Sequence, residues 1–567
     1  MKNKIKFHKT HHLDTLRDML VYNAKHFGDN AAFWVKKVKG GKYTPITHEK
    51  LFLDANALGA KLMNLGLLGK KIALVGDGIY EWIVSYFAVV NGLGVVVPID
   101  KELGKDDIMN FVRSANCEAV IYSESLSSYF EHEEIGCKIN MNPKTAREWE
   151  YDYNVLIGEG EELLDSGDNG YLKLSIDPNE MRILLFTSGT TSNSKGVMLS
   201  HWNIMSNVIA TNTIVQVYPT DKALSMLPIH HTFGLTIGIF CVLYRGGSIA
   251  FCEGLKHIAK NLKESQATAL VAVPLIFESM YNKVIKTAKK NGKYDKLQKG
   301  IGINRKLKKM GVNVSNKLFK DIYENVGGKL RLLVTGAAAI DPAVIRFYED
   351  IGIRVVQGFG MTECSPLITG TPDTCDTHLK AGSVGPAIPE VEVKLINKDE
   401  NGIGEILCKG PNVMLGYYEN EELTAEIIKD GWLHTGDLGY LDEDGFLYIS
   451  GRTKNVIITK NGKNVYPEEL EFYLNAVPVI SECMVDGIYD EKEDDIKIRV
   501  QVYPDAAEVE AALEGDVTDE RIINLIQNIV YDFNETLPAY KRIKRVVIKK
   551  EEFIKTTTKK IKRHENK

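Results

Sequence analysis

Apolar residues follow two alternating rhythms along this chain. Lys71–Val75, Val95–Ile99, Ala119–Tyr122 and Leu332–Thr335 are short, β-rich apolar runs, as strands buried on both faces are. Tyr80–Val90 and Pro342–Asp350 instead repeat their apolar residues at helical spacing. Strands alternating with helices predict α/β layers with mostly parallel sheets. From about Gly382 to Ser450 the rhythm changes to short strands parted by glycine turns, at Gly402-Ile403-Gly404 and Asp444-Gly445, which predicts a small β-barrel-like subdomain. Beyond Arg452 a mixed α/β tail is predicted, with a helix starting at Pro467-Glu468-Glu469 and a strand over Ile496–Val502. The expected organisation is a large N-terminal domain of layered α/β subdomains over 1–452, with the barrel-like part at about 382–450. A small, mobile α+β C-terminal domain over 453–567 follows.

The length, 567 residues, exceeds the usual single core and agrees with more than one domain. With 44% hydrophobic and 26% charged residues the composition is that of a soluble globular protein. The start, MKNKIKFHKTHHLD, is basic without the apolar core of a signal peptide. The most apolar segments, Ile83–Ile99 and Phe233–Leu243, are interrupted or too short to span a bilayer. Eight cysteines without a CxxC pair suit reduced thiols rather than disulfides or zinc. A cytoplasmic enzyme is expected, without a nucleic-acid module. A homodimer is left open.

Net charge is −5 but uneven: residues 281–330 hold 14 Lys or Arg against 3 Asp or Glu, and 541–567 hold 12 against 3. Such runs are either solvated helix faces or attractors of anions, whether a membrane surface or the phosphates of a coenzyme.

Residues 183–197 read ILLFTSGTTSNSKGV. A buried strand ending in Thr187-Ser188-Gly189-Thr190-Thr191, with Lys195 beyond, offers backbone N–H and hydroxyl donors to one point and a lysine as counter-charge. That is a phosphate cradle. It is not a Walker loop, because Ser194 precedes the lysine and Gly196 follows it.

This run resembles the phosphate loop of the adenylate-forming superfamily, although Ser192 and Ser194 stand where that family usually has Gly and Pro. Further resemblances follow in family order as far as Arg563. Leu227-Pro228-Ile229-His230-His231-Thr232-Phe233-Gly234 places His231, which the resemblance makes a further catalytic candidate, where the family borders its acyl pocket. Gly336-Ala337-Ala338 matches the segment that lines adenine. In Gln357-Gly358-Phe359-Gly360-Met361-Thr362-Glu363 the aromatic face suits a purine, Thr362 and Glu363 are the catalytic pair, and Glu363 is the expected Mg²⁺ ligand. Asp437 matches the ribose-binding carboxylate, and Arg452 adds a ribose or phosphate contact. Lys454 matches the hinge, and Lys460, Gly462 and Lys463 the loop of the thioester-forming step. Lys560 takes the catalytic lysine position, with Lys559 in place of the usual Gly and so able to share the role.

The wording most resembles bacterial long-chain fatty acyl-CoA synthetases. The resemblance implies ATP, Mg²⁺ and CoA, a fatty acid as substrate, acyl-adenylate formation with release of pyrophosphate, and transfer of the acyl group to CoA. Peripheral contact with the inner membrane face through 281–330 is a further expectation. Alternatives are transfer to an acyl carrier protein, activation of an aromatic or medium-chain acid, or a silent nucleotide- or acyl-binding protein.

Overall fold

The computed structural model describes residues 5–187, 195–459, 463–490, 495–513, 515, 517–555 and 560–566. The chain divides into two compact units. The first comprises 1–393, 408–433 and 444–446, and the second 394–407, 434–443 and 447–567. The second unit thus takes in segments upstream of the boundary expected at Arg452.

The first unit is built on two eight-stranded sheets. One runs in spatial order Leu367–Gly370, Arg354–Gly360, Leu332–Thr335, Ala269–Ala272, Lys222–Ser225, Ser248–Phe251, Ala31–Lys36 and Tyr43–Thr47. The other runs Gly416–Tyr417, Gly196–Ser200, Met181–Phe186, Val95–Ile99, Lys71–Val75, Ala119–Tyr122, Cys137–Asn140 and Tyr151–Asp152. Central pairs are parallel, such as Leu332–Thr335 beside Arg354–Gly360 and Lys71–Val75 beside Val95–Ile99. Their side chains are buried on both faces (Ile72, Leu74, Val96, Ile121, Leu333), which explains the unbroken apolar runs. Each such side chain contributes about 1.5–3 kcal/mol by leaving water.

The helix Tyr80–Ala88 ends two residues before its predicted limit, because the chain turns through a π-type segment, Val89–Leu93, with Gly92 at φ 110°. The apolar run Phe233–Leu243 is a wide-turned helix continuing into one α-turn. No helix among the described residues is long and apolar enough to cross a membrane. The region expected to be barrel-like contains a five-stranded sheet, with Trp432–Leu441 paired antiparallel to Leu447–Arg452.

In the basic segment, Pro274–Lys290 and Tyr294–Lys309 are helices. The second is anchored on one side: Ile301 and Asn304 are buried, Asn304 Nδ2 donates to the Asp350 carbonyl at 2.6 Å, and Lys308 Nζ donates to the Glu349 carbonyl at 2.6 Å. The opposite stripe, Lys296, Lys299, Ile303, Lys306 and Met310, is exposed, Ile303 by 52% and Met310 by 76%.

The second unit has its own core. The strands Ile480–Asp490, Asp495–Pro504 and Arg545–Ile548 form a sheet, and Val485, Val500, Val502, Leu470 and Ile526 pack between it and the helices Pro467–Asn475 and Asp519–Glu535.

Candidate functional site

The phosphate-loop segment is a hairpin. Met181–Phe186 pairs antiparallel with Gly196–Ser200, and Phe186 lies opposite Gly196. Thr187 N donates to the Lys195 carbonyl at 3.0 Å, which extends the pairing of the two strands by one bond. Ser188, Gly189, Thr190 and Thr191 lie outside the described residues.

Glu363 stands in a short turn after the strand Arg354–Gly360. Backbone crowding shapes that turn: a Cβ on Gly360 would meet the Pro366 carbonyl oxygen at 1.7 Å, so only glycine fits. The Glu363 carboxylate is buried, and its Oε1 accepts from the Tyr417 hydroxyl at 2.8 Å. Its other oxygen takes no hydrogen bond among the described residues. A buried carboxylate with one oxygen so placed fits a hard divalent cation such as Mg²⁺. Lys195 Nζ lies 5.0 Å from the centre of the Tyr417 ring. Tyr417 therefore touches both Lys195 and Glu363, although sequence reasoning passed over it. Nothing in the sequence showed what the ring would reach.

Gly336, Gln357 and Gly358 meet at the C-terminal ends of parallel strands, where open α/β sheets bind ligands. Thr335 and Gln357 are paired in register, and a Cβ on Gly336 would lie 3.2 Å from the Gly358 carbonyl oxygen and 3.5 Å from the Phe233 ring. Thr335 Oγ1 and Gln357 Oε1 are buried without a hydrogen-bond partner among the described residues, as polar atoms awaiting a ligand or water would be. Ala337, at φ 69°, and Ala338 are exposed, while Phe359, Met361 and Thr362 are half-buried.

His231 has a partner that was not singled out. Its Nε2 lies 3.2 Å from His230 Nε2, and His230 Nε2 lies 3.5 Å from Asp100 Oδ2. Burial, then the neighbouring His231 and Lys101, hold His230 well below the usual histidine range, which favours a neutral imidazole. The His-His doublet is visible in the sequence, whereas Asp100 comes from a distant strand end. An apolar cavity beside His230 is lined by Tyr86, Pro98, Ile183, Leu185, Ile204 and Leu235.

In the second unit Asp437 and Arg452 face each other across paired strands, Arg452 Nε to Asp437 Oδ1 at 2.8 Å. Lys560 feels both. Desolvation and then the Arg452 charge lower its ammonium below the usual lysine range, and Asp437 opposes them. Lys454 sits in the short turn Thr453–Asn455. Lys463 holds both oxygens of Glu400, at 2.5 and 2.7 Å. Lys460, Gly462 and Lys559 lie outside the described residues. All eight cysteines are free thiols, Cys364 and Cys408 being 3.3 Å apart.

The profile of the AMP-binding enzyme family matches residues 20–418. The chain belongs to that family. It is 28% identical over 513 residues to the peroxisomal long chain acyl-CoA synthetase 6 of Arabidopsis thaliana, covering 84% of this chain and 71% of that protein. It is 31% identical over 431 residues to the long-chain-fatty-acid–CoA ligase 6 of Mus musculus, covering 70% of this chain but only 61% of that one. Among solved structures, ATP-bound MatB from Rhodopseudomonas palustris superposes with a TM-score of 0.72 at 25% identity, over 97% of both chains. As in those enzymes, the fold is a mixed α/β one.

Proposed function

We propose that this protein is an AMP-forming ligase that activates a long-chain fatty acid with ATP, releases pyrophosphate, and passes the acyl group to CoA. Family membership and the names of the relatives support the reading. The observation that carries it is the meeting of the phosphate-loop lysine and the Glu363 carboxylate on one buried tyrosine.

A carboxylate does not acylate a thiol directly, because oxide is a poor leaving group. In the first step the fatty acid's carboxylate oxygen attacks the α-phosphorus of ATP and pyrophosphate departs. Thr187, the residues that follow it and Lys195 bind the β- and γ-phosphates, while Gly336 to Ala338 and Gln357 to Phe359 receive the purine. Glu363 would hold Mg²⁺, which supplies positive charge to the phosphates. Asp437 and Arg452 take the ribose, and Lys560 offsets the charge that grows on the α-phosphate oxygens. His230 and His231 border the entry of the acyl chain. Nearly all of this is positioning and electrostatic stabilisation. In the second step the thiol attacks the acyl carbon and AMP leaves, with the segment after Lys454 turning to exchange Lys560 for the Lys460–Lys463 loop. Pyrophosphate exchange into ATP, measured over a panel of fatty and aromatic acids without CoA, tests the reading. Release of ADP and orthophosphate instead would overturn it.

We also propose that the exposed stripe of the helix Tyr294–Lys309 rests on an anionic bilayer, from which a long-chain acid is drawn. The stripe combines lysines with Ile303 and Met310, and the surrounding 281–330 segment is strongly basic. Each lysine near such a surface contributes about 1 kcal/mol. Co-sedimentation with phosphatidylserine vesicles should be strong at low salt, weaken at high salt, and be lost when Lys296, Lys299 and Lys306 are all changed to Glu. Failure of the parent protein to bind at low salt would return the stripe to a solvated face.

A further inference from the structure

We infer that Tyr417 is a positioning residue that sets both the Glu363 carboxylate and the Lys195 ammonium, and this rests on reading the site as one for Mg·ATP. Two independent contacts carry the inference: the hydroxyl donates to Glu363 Oε1 at 2.8 Å, and the ring faces Lys195 Nζ at 5.0 Å.

The tyrosine is itself held firmly. It is 4% exposed, and its backbone N donates to Thr424 Oγ1 at 2.8 Å. The segment around it ties the two functional elements together. Tyr417 lies opposite Val197 on the strand after the phosphate loop, Tyr418 N donates to the Gly196 carbonyl at 2.7 Å, and Met414 N donates to the Glu363 carbonyl at 2.9 Å. A shift of the phosphate hairpin would therefore be felt at the carboxylate, and the reverse.

Each contact suits a supporting role. Donation to one carboxylate oxygen fixes the group's rotation and leaves the second oxygen as the donor to a cation, as hydrogen bonds behind metal ligands commonly do. An aromatic face orients an ammonium through the ring quadrupole. Unlike a carboxylate partner, it does not neutralise the lysine, so the full charge remains for phosphate.

Two variants of the full chain separate the contacts. Tyr417→Phe keeps the ring and removes the donor. It should raise the Mg²⁺ concentration for half-maximal adenylation about tenfold, the low end for such supports. Its ATP KM at saturating Mg²⁺, and its rate of thioester formation from supplied acyl-adenylate, should stay within about twofold of the parent, since neither depends on that hydrogen bond. Mn²⁺ bound in the presence of α,β-methylene-ATP, followed by electron paramagnetic resonance, should weaken by a similar factor without any turnover. Tyr417→Leu should in addition raise the ATP KM. Parental Mn²⁺ affinity in Tyr417→Phe, or equal loss of both half-reactions, would overturn the inference. If the parent exchanges no pyrophosphate with any acid, the proposed function fails instead, and the Mn²⁺ measurement still judges Tyr417.

Discussion

Arg452 and Asp437 stand opposite each other on neighbouring strands and form an ion pair of 2.8 Å in which the carboxylate is buried and the guanidinium half-exposed. Lys560 is close enough to sense both charges. Asp437 is thus the one anion of the trio: it pairs with Arg452 and its charge acts on Lys560, where a nucleotide's ribose and α-phosphate are proposed to lie.

Asp437→Asn leaves Arg452 and Lys560 facing each other without that anion. The expected loss of stability is about 1–3 kcal/mol, between the values for exposed and buried pairs. The ATP KM should rise about tenfold, the worth of one hydrogen-bonded contact. Denaturant unfolding and initial rates against ATP check both numbers. An unchanged KM would remove Asp437 from the nucleotide site.

Glu363→Gln keeps the shape and removes the charge. Turnover should fall about a hundredfold or more while the melting temperature moves by only a few degrees, because the loss is at a metal ligand. Activity within about twofold of the parent would mean that the cation is held elsewhere.

Lys560→Ala should abolish acyl-adenylate formation and spare conversion of supplied acyl-adenylate to thioester, since the lysine's charge matters only while phosphate charge develops. Lys454→Pro should do the opposite, because proline fixes φ at the turn Thr453–Asn455. Rapid-quench assays of each half-reaction decide this. Equal loss of both steps in both variants, with folding intact, would count against a turning C-terminal segment.

Stability should fall on mild acidification. His201 is fully buried: Leu16 N donates to its Nδ1 at 3.1 Å, so the proton sits on Nε2, which meets the Val90 carbonyl at 2.9 Å. Burial lowers its pKa to about 4 from 6.5. The unfolded chain therefore takes up this proton near pH 6.5 and the folded one only near 4, so stability is constant above that window and declines through it as pH falls. Melting curves from pH 7.5 to 5 should show the decline, and His201→Gln should flatten it while lowering the melting temperature at pH 7.5. An identical slope in the variant would mean that other groups control it.

Much of the fold was legible because buried parallel strands write themselves as unbroken apolar runs. Lys71–Val75, Val95–Ile99, Ala119–Tyr122 and Leu332–Thr335 are strands with those limits. The motif Gln357 to Glu363 was also legible, since glycines such as Gly360 are dictated by local crowding that leaves a mark in the sequence. What was not legible is what depends on packing across long chain separations. Tyr417 reaches Glu363 from 54 residues away, and Asp100 reaches His230 from another strand's end. No periodicity encodes such meetings. The stripe of Tyr294–Lys309 was seen only as a run of charge, because its facing direction is set by Asn304 and Ile301 docking against residues near Asp350.

The interleaving of the two compact units bears on how the chain is born. Residues 394–407 leave the ribosome before 408–433, which belong to the other unit, and before the strand and turn that hold them. Ile406 receives its hydrogen bond from Thr435, Glu400 waits for Lys463, and Asp399 for Tyr466. Because domains tend to fold in order of synthesis, that early stretch can pair its own two strands, Glu392–Ile396 and Gly404–Lys409, but lacks these later partners until they emerge. A fragment started at Thr453 would lack it altogether, together with the strand that carries Asp437.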